Sequence, residues 1–294
     1  MENKLLIFIV AYQRKSYTQG TIELLNKVRP EGSTVIVCDN GSTDGTREWL
    51  EENQETYNLG LIFAEENLRV GGAWMLLTQY FQPEDFTHIL LLDNDGWFSP
   101  FKPDWFEQCL EIFATDPKIA SLGLQRERKP GFFSMEKTFD PYFDSRESFN
   151  DLEIYDTIYF AAFRLDKFDL WHEAFSNWPH TFVGDKLNTH YISSGYRSIK
   201  VTPGFVVDIS EYNFNNPDHA EYNKWFYERE RDADEFKRRT DMHSTTGEDE
   251  QFVINNFGQE YIKFLSWYTF TKDIVTFPLI QLEKVDQNGF HVKD

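Results

Sequence analysis

The sequence predicts an α/β protein whose first half builds a parallel sheet flanked by helices. Short, almost wholly apolar runs alternate with segments of helical spacing across residues 1 to 120. Two of those runs end abruptly in carboxylates. Ile36-Val37-Cys38 passes into Asp39-Asn40-Gly41-Ser42-Thr43-Asp44-Gly45-Thr46, and Ile89-Leu90-Leu91-Leu92 passes into Asp93-Asn94-Asp95-Gly96. Buried strands that end in polar turns belong to open sheets, which bind ligands at their carboxyl edge. A length of 294 residues suffices for one large domain with an extension, or for two modest domains.

The elements follow in order. Leu5 to Ala11 is nearly all apolar, as a strand buried on both faces must be. Tyr17 to Val28 carries Ile22, Leu25 and Val28 at helical spacing. Thr34 to Cys38 is a second strand, Arg47 to Glu52 opens a second helix, and Leu59 to Ala64 is a third strand. Gly71-Gly72 introduces the apolar segment Ala73 to Phe81, then His88 to Leu92 reads as a fourth strand and Trp105 to Phe113 as another helix. This βαβαβαβ order implies parallel strands with right-handed crossovers. After Ser121 the pattern loosens: residues 126 to 150 read as an irregular excursion, Ile154 to Leu165 as strand-like and Lys186 to Ser194 as helical. Ser198 to Ile209 reads as strand-like around Pro203-Gly204. From about Glu211 the composition shifts to a charged helical stretch, Tyr222 to Arg239, and a more apolar one, Tyr261 to Ile280. The latter reads as core, or as a surface that meets a partner or a membrane.

Aromatics are abundant at 17 %, with 28 Phe, 14 Tyr and 8 Trp. Most will be core, and several can line a groove for a sugar. A net charge of −20 argues against a nucleic-acid surface, which relies on basic patches, and against charge-driven adhesion to an anionic membrane. Cys38 and Cys109 lack metal-ligand spacing and read as reduced core residues of a cytoplasmic protein. The first residues lack a signal-peptide pattern, and no stretch has the apolar length of a membrane helix.

Four constellations carry chemistry, each beside a plainer reading. Asp93 and Asp95 can share Mn²⁺ or Mg²⁺ and so hold a diphosphate, although D-x-D is also an ordinary solvated turn. In Asp39 to Thr46, Asp44 or Thr46 can cap the following helix, which leaves Asp39 at the strand end to accept the imide N–H of a pyrimidine base. In Asn67-Leu68-Arg69-Val70-Gly71-Gly72 the glycines admit a phosphate to a helix start, or simply let the helix pack closely; Arg69 can reach a diphosphate or lie on the surface. Gly184-Asp185 precedes a helical stretch, where a carboxylate complements the helix dipole or serves as a general base. The seven histidines show no zinc-site spacing.

Together these residues resemble a family 2 glycosyltransferase over roughly residues 4 to 240. The resemblance rests on Val10-Ala11-Tyr12-Gln13-Arg14, on the acidic turn Asp39 to Thr46, and on Leu91-Leu92-Asp93-Asn94-Asp95. Weaker matches are Ser194-Gly195-Tyr196-Arg197 and Trp225-Phe226-Tyr227-Glu228-Arg229, the latter similar to bacterial rhamnosyl- and galactofuranosyl-transferase relatives. It implies a GT-A fold: a mostly parallel nucleotide-binding sheet flanked by helices, with a helical C-terminal extension. Residues 1 to 210 would form that domain, with a nucleotide-sugar half to 120 and an acceptor half from 121, and 211 to 294 the extension. The implied nucleotide-sugar residues are Ala11, Tyr12, Arg14, Asp39, Asn67, Arg69, Gly71, Asp93 and Asn94; the metal ligands are Asp93, Asp95 and Asp208; the base of an inverting transfer is Asp185. The implied donor is a nucleoside-diphosphate sugar, with UDP the family's usual carrier and dTDP or GDP open. The acceptor is a saccharide or glycoconjugate, and nucleic acid is disfavoured by charge.

Three departures from the family pattern stand out. Gly184-Asp185 replaces Glu-Asp, Arg69 replaces the glycine of Asn-x-Gly, and Asp208 stands where many metal-dependent members have His. Two other functions compete. Leu90 to Gly96 resembles the nucleophile strand of haloacid-dehalogenase-type phosphatases and Val183-Gly184-Asp185 their late acidic motif, yet Trp97 breaks that pattern and the Asp39 turn goes unexplained. The departures also fit a GT-A fold kept as a non-catalytic carbohydrate-binding or scaffolding protein.

Overall fold

The computed structural model describes residues 4–81, 85–124, 142–144, 160–167, 194–201, 204–209, 255 and 257–258. The chain divides into two compact units, Met1–Val207 and Asp208–Asp294. The excursion expected over 126–150 lies outside the described residues apart from 142–144, and so do residues 154–159, residues 186–193 where a helix is expected, the stretches 222–239 and 261–280, and Asp185.

Strand β1 (Leu5–Ala11) is buried at every position. It has neighbours on both edges and helices on both faces. Helix α1 (Lys15–Val28) leads to β2 (Thr34–Asp39), α2 (Thr46–Tyr57) to β3 (Leu59–Phe63), and α3 (Arg69–Leu77) to β4 (His88–Asp93). β1 pairs in parallel with β2 on one side and β4 on the other, and β2 pairs in parallel with β3. Then follow β5 (Gly96–Phe98), α4 (Trp105–Thr115), β6 (Ile119–Gly123), β7 (Tyr142–Asp144), β8 (Phe160–Arg164), β9 (Arg197–Val201) and β10 (Val206–Asp208). The main sheet has the order β3-β2-β1-β4-β8-β6-β9-β7, and β5 pairs with β10 in a small second sheet. β8 runs antiparallel to β4 and β6, and β7 runs antiparallel to β9, so the sheet is mostly parallel.

Alternation along β1 sorts the core into two layers, because successive side chains point to opposite faces. Leu5, Ile7, Ile9 and Ala11 pack with Ile22, Leu25 and Val28 of α1, Leu50 of α2, and Trp105, Cys109 and Ile112 of α4. Leu6, Phe8 and Val10 pack with Ala73, Trp74 and Leu77 of α3, with Ile89, Leu91 and Phe163 alongside. The Trp105 indole donates to Val28 O at 3.0 Å and so serves the open carbonyl end of α1.

Across residues 4–124 the expected elements recur with adjusted ends. α3 begins at Arg69 and closes at Leu77, where Tyr80 N–H turns back to Leu77 O. The single late strand expected over 198–209 is instead two strands in different sheets. Phe205 and Val206 N–H both donate to Leu124 O, which diverts the chain away from the main sheet. β5 was too short to stand out in the sequence, and β6 too weakly patterned.

Candidate active site

Register places both acidic strand ends beside the end of β1. Ala11 lies opposite Asp39, and Val10 lies opposite Asp93. The chain steps outward from β1 to β2 and β3, then returns to the other side of β1 as β4. That reversal is the topological switch point of an open sheet, where a crevice opens at the carboxyl edge. Gln13 spans it. Its N–H donates to Ser42 Oγ at 2.8 Å, its carbonyl accepts from Asn94 Nδ2 at 3.0 Å, and its side-chain amide pairs with Thr43. Gln13 and Arg14 do this with φ of 52° and 59°, a left-handed backbone that residues with a β-carbon adopt only under strong surrounding constraint.

The Asp39 turn is clamped from within. The Asp39 carboxylate is fully buried; Arg47 Nε donates to Oδ2 at 3.0 Å and Ser42 N–H reaches both oxygens at 3.3 and 3.4 Å. Arg47 also donates to Ala64 O and lies over the Phe63 ring. Burial, and next the Asp39 charge, push the neighbouring Cys38 thiol up to about 12, so it is inert. Burial likewise raises the Cys109 thiol. Asp44 serves two helix starts: it accepts from Lys15 N–H of α1 and Thr46 N–H of α2. Thr46 donates its hydroxyl to Asp44 as well; the N-cap of α2 is Gly45, and Asp44 supports the helix start from one residue before it.

Asn40 extends the clamp to the glycine-bearing segment. Its side chain donates to Asn67 Oδ1 and Arg69 O and accepts from Leu68 N–H. A β-carbon on Gly41, at φ +81°, would come within 2.8 Å of the Glu66 backbone, so only glycine permits this approach. Arg69 adopts φ 61° at the position where the resemblance expects glycine. Asn67 Oδ1 accepts the Arg69 N–H at 2.8 Å and secures that bend. Gly71 is buried, and a β-carbon on Gly72 would meet Leu68 Cβ at 2.7 Å. Close packing therefore accounts for Gly72.

The second acidic turn is pinned on α1. Asn94 donates to Gln13 O and Thr18 Oγ1, and Thr21 Oγ1 donates to Asn94 O. Arg14 Nη1 donates to Asp95 Oδ2 and Nη2 to Asn94 Oδ1, both at 2.7 Å. Arg14 therefore grips the acidic turn directly. Trp97 presses onto Gly20, where a β-carbon would stand 2.3 Å from its ring. Asp93 is half-buried at the end of β4, Tyr12 is half-buried, Ala11 is buried, and Asp208 closes β10. Among the described residues no group of three His, Cys, Asp or Glu side chains is placed to hold a metal ion by itself. Also among the described residues, no helix is long and apolar enough to cross a membrane.

Sequence reasoning missed Gln13, Thr18, Thr21 and Arg47. The hydroxyls of Thr18 and Thr21 lie three residues apart in an otherwise apolar helix face, which is a legible signal for a buried acceptor nearby. Arg47 gives no such signal, since its partner becomes adjacent only when β2 and α2 fold together.

Comparison with known proteins bears on this site. The model for Glycosyl transferase family 2 matches residues 6–178. A teichoic acid poly(glycerol phosphate) polymerase of Staphylococcus epidermidis is 24% identical over 149 residues, which is 50% of this chain and 20% of that relative. The chain thus spans a fifth of that relative's length. S. aureus TarS 1-349 superposes with a TM-score of 0.51 at 13% identity, covering 92% of this chain and 75% of that one. The mannosyltransferase PcManGT from Pyrobaculum calidifontis, solved with GDP-Man and Mn2+, superposes with a TM-score of 0.51 at 14% identity, covering 92% and 74%. At such identities the likeness is one of fold.

Proposed function

The chain belongs to the family 2 glycosyltransferases, and we propose that it is a metal-dependent, inverting member that moves a sugar from a nucleoside diphosphate to an acceptor hydroxyl. The observation that carries the reading is the register: Asp39 and Asp93 flank the last residues of β1 at the switch point of the sheet. Membership of a glycosyltransferase family sets aside the phosphatase reading.

In this proposal Ala11, Tyr12 and Asp39 form the nucleobase side, with Arg47 yielding its hydrogen bond on Asp39 as the base enters. Asn67, Arg69 and Gly71 line the phosphate side, and Asn94 holds the acidic turn to α1. The donor set suits a hard cation: Asp93 presents a partly exposed carboxylate, Asp95 keeps Oδ1 beside the oxygen taken by Arg14, and the diphosphate supplies further oxygens. Asp208 is a candidate third protein ligand. A bound Mn²⁺ or Mg²⁺ would neutralise the charge developing on the leaving diphosphate. That a structure of the same fold was solved with GDP-Man and Mn2+ supports this donor and metal class. Asp185, outside the described residues, would take the proton of the acceptor hydroxyl as its oxygen attacks the anomeric carbon and the nucleoside diphosphate departs. The acceptor is a saccharide or glycoconjugate.

Calorimetric titration of UDP, dTDP and GDP with and without Mn²⁺, on wild type and Asp95→Ala, tests the reading. Metal-dependent binding of one nucleotide, lost in the variant, supports it and names the base. No nucleotide binding under any condition overturns it.

A further inference from the structure

A nucleoside diphosphate has a base end and a diphosphate end, and the two acidic turns that would meet them follow strands with β1 between them. Gln13 hydrogen-bonds to both turns. On the first, its N–H donates to Ser42 Oγ at 2.8 Å, its Nε2 donates to Thr43 Oγ1 at 3.0 Å, and its Oε1 accepts the Thr43 N–H at 3.2 Å. Ser42 in turn directs its own N–H to the Asp39 carboxylate. On the second turn, the Gln13 carbonyl accepts from Asn94 Nδ2 at 3.0 Å. Asn94 is also fixed to α1, through Thr18 Oγ1 and the hydroxyl of Thr21. Each polar atom of Gln13 therefore has a partner on one turn or the other, and the residue is only 9% exposed. Its left-handed φ of 52° is a conformation that persists where the surroundings over-determine it.

We propose that Gln13 is a positioning residue that sets the spacing between the two turns, so that both ends of the donor are met in one rigid frame. The inference rests on the nucleotide-sugar reading above. A ligand with two recognised ends gains from their being joined only where the two subsites are already held at its own span. A frame that drifts keeps each subsite and forfeits that gain. Gln13 suits this role because its polar atoms are engaged by the turns themselves. Its N–H and carbonyl bonds run through the backbone and survive substitution. The two bonds between its side-chain amide and Thr43 are the part a substitution removes.

Calorimetry on the full chain with Mn²⁺ measures binding of UDP, dTDP and GDP, of the matching nucleosides, and of pyrophosphate. Wild type, Gln13→Ala, Thr43→Val and Thr43→Ser are compared after circular dichroism and thermal melting establish that each is folded. Gln13→Ala binds the nucleoside and pyrophosphate as wild type does, and the nucleoside diphosphate about tenfold more weakly, the loss expected for two hydrogen bonds. Thr43→Val removes one of those bonds and loses about threefold on the nucleoside diphosphate alone. Thr43→Ser keeps the oxygen and restores wild-type binding. Thr43 is exposed, so its variants decide the matter if Gln13→Ala does not fold. Unchanged affinity for the nucleoside diphosphate in folded Gln13→Ala or Thr43→Val overturns the proposal. So does a loss that falls equally on the nucleoside or on pyrophosphate alone, because Gln13 then belongs to one subsite. Failure of the donor reading looks different: wild type then binds none of the three nucleoside diphosphates, and the role of Gln13 falls with it.

Discussion

Two acidic turns stand on either side of the end of β1, and they use their carboxylates differently. Asp39 is wholly enclosed by Arg47 and the Ser42 N–H, and its turn is clamped through Asn40 to the loop before α3. In the other turn Asn94 takes the clamping role, through Gln13, Thr18, Thr21 and Arg14, and Asp93 remains partly exposed. Similar residue types thus divide structural and chemical duties in opposite ways. In one turn the aspartate is the keystone. In the other the asparagine is, and Asp93 stays half-buried at the end of its strand.

Substitutions at the two turns should therefore separate activity from stability. Asp95→Ala should lower kcat/KM for sugar transfer by about 10²- to 10³-fold, the cost of removing one group that stabilises developing charge. Asp39→Ala should lower nucleotide affinity and, in addition, unfolding free energy by about 2 kcal/mol in urea titrations, since it takes a buried acceptor from the Ser42 N–H and one partner from Arg47. Comparable activity losses with no stability difference would break the contrast. Asn94→Ala should cost about 2–3 kcal/mol by the same measurement, because Arg14 Nη2 and Gln13 O lose a buried partner. A loss under about 0.5 kcal/mol would remove Asn94 from its structural role.

Glycines beneath each turn sharpen the comparison. Gly41→Ala meets the Glu66 backbone from a left-handed position, and Gly20→Ala meets the Trp97 ring. Each should cost about 2 kcal/mol in thermal or urea unfolding. Gly41→Ala should strain the first turn and weaken nucleotide binding more, and Gly20→Ala should strain the second and weaken Mn²⁺ binding more.

A titration at the far end of β4 provides a control that touches neither turn. Burial foremost, and then the Arg164 charge, lower the His88 pKa from 6.5 to about 4, with Asp166 partly opposing. The unfolded chain therefore binds a proton that the folded chain refuses between those values. Stability should fall as pH drops from 6.5 toward about 4 and level off below, with a slope from this group of at most about 1.4 kcal/mol per pH unit. His88→Phe, packed among Phe106 and Phe113, should flatten that part of the acid profile. The smallest effect is expected at Arg69→Gly, where relief of the positive φ should stabilise by about 0.5 kcal/mol net of the chain entropy glycine adds.

Much of this was legible in the residues. Leu5 to Ala11 announced a strand covered on both faces because no polar side chain interrupts it, and carboxylates after aliphatic runs announced the binding edge. Other parts were not. Nothing local marks Gly96-Trp97-Phe98 as a strand, since three residues carry no periodicity and their partner is β10. Asp44 looked like a cap for the helix that follows it, and the fold also gives it Lys15 N–H, 29 positions earlier. Arg14 resembled a residue near the base, and the structure places it on Asp95, 81 positions away.

The sequence by itself determined the alternation of strands and helices, the parallel sheet that this alternation requires, and the arrival of Asp39, Asp93 and Asp95 at strand ends. Those features depend on hydrophobic period and chain order, which are local. The tertiary structure decided which carboxylate is enclosed, which is held by an arginine, and which stays half-buried at its strand end. Those outcomes depend on pairings 8 to 81 residues apart, fixed only when β1, β2 and β4 lie in register and α1 and α2 pack across their ends.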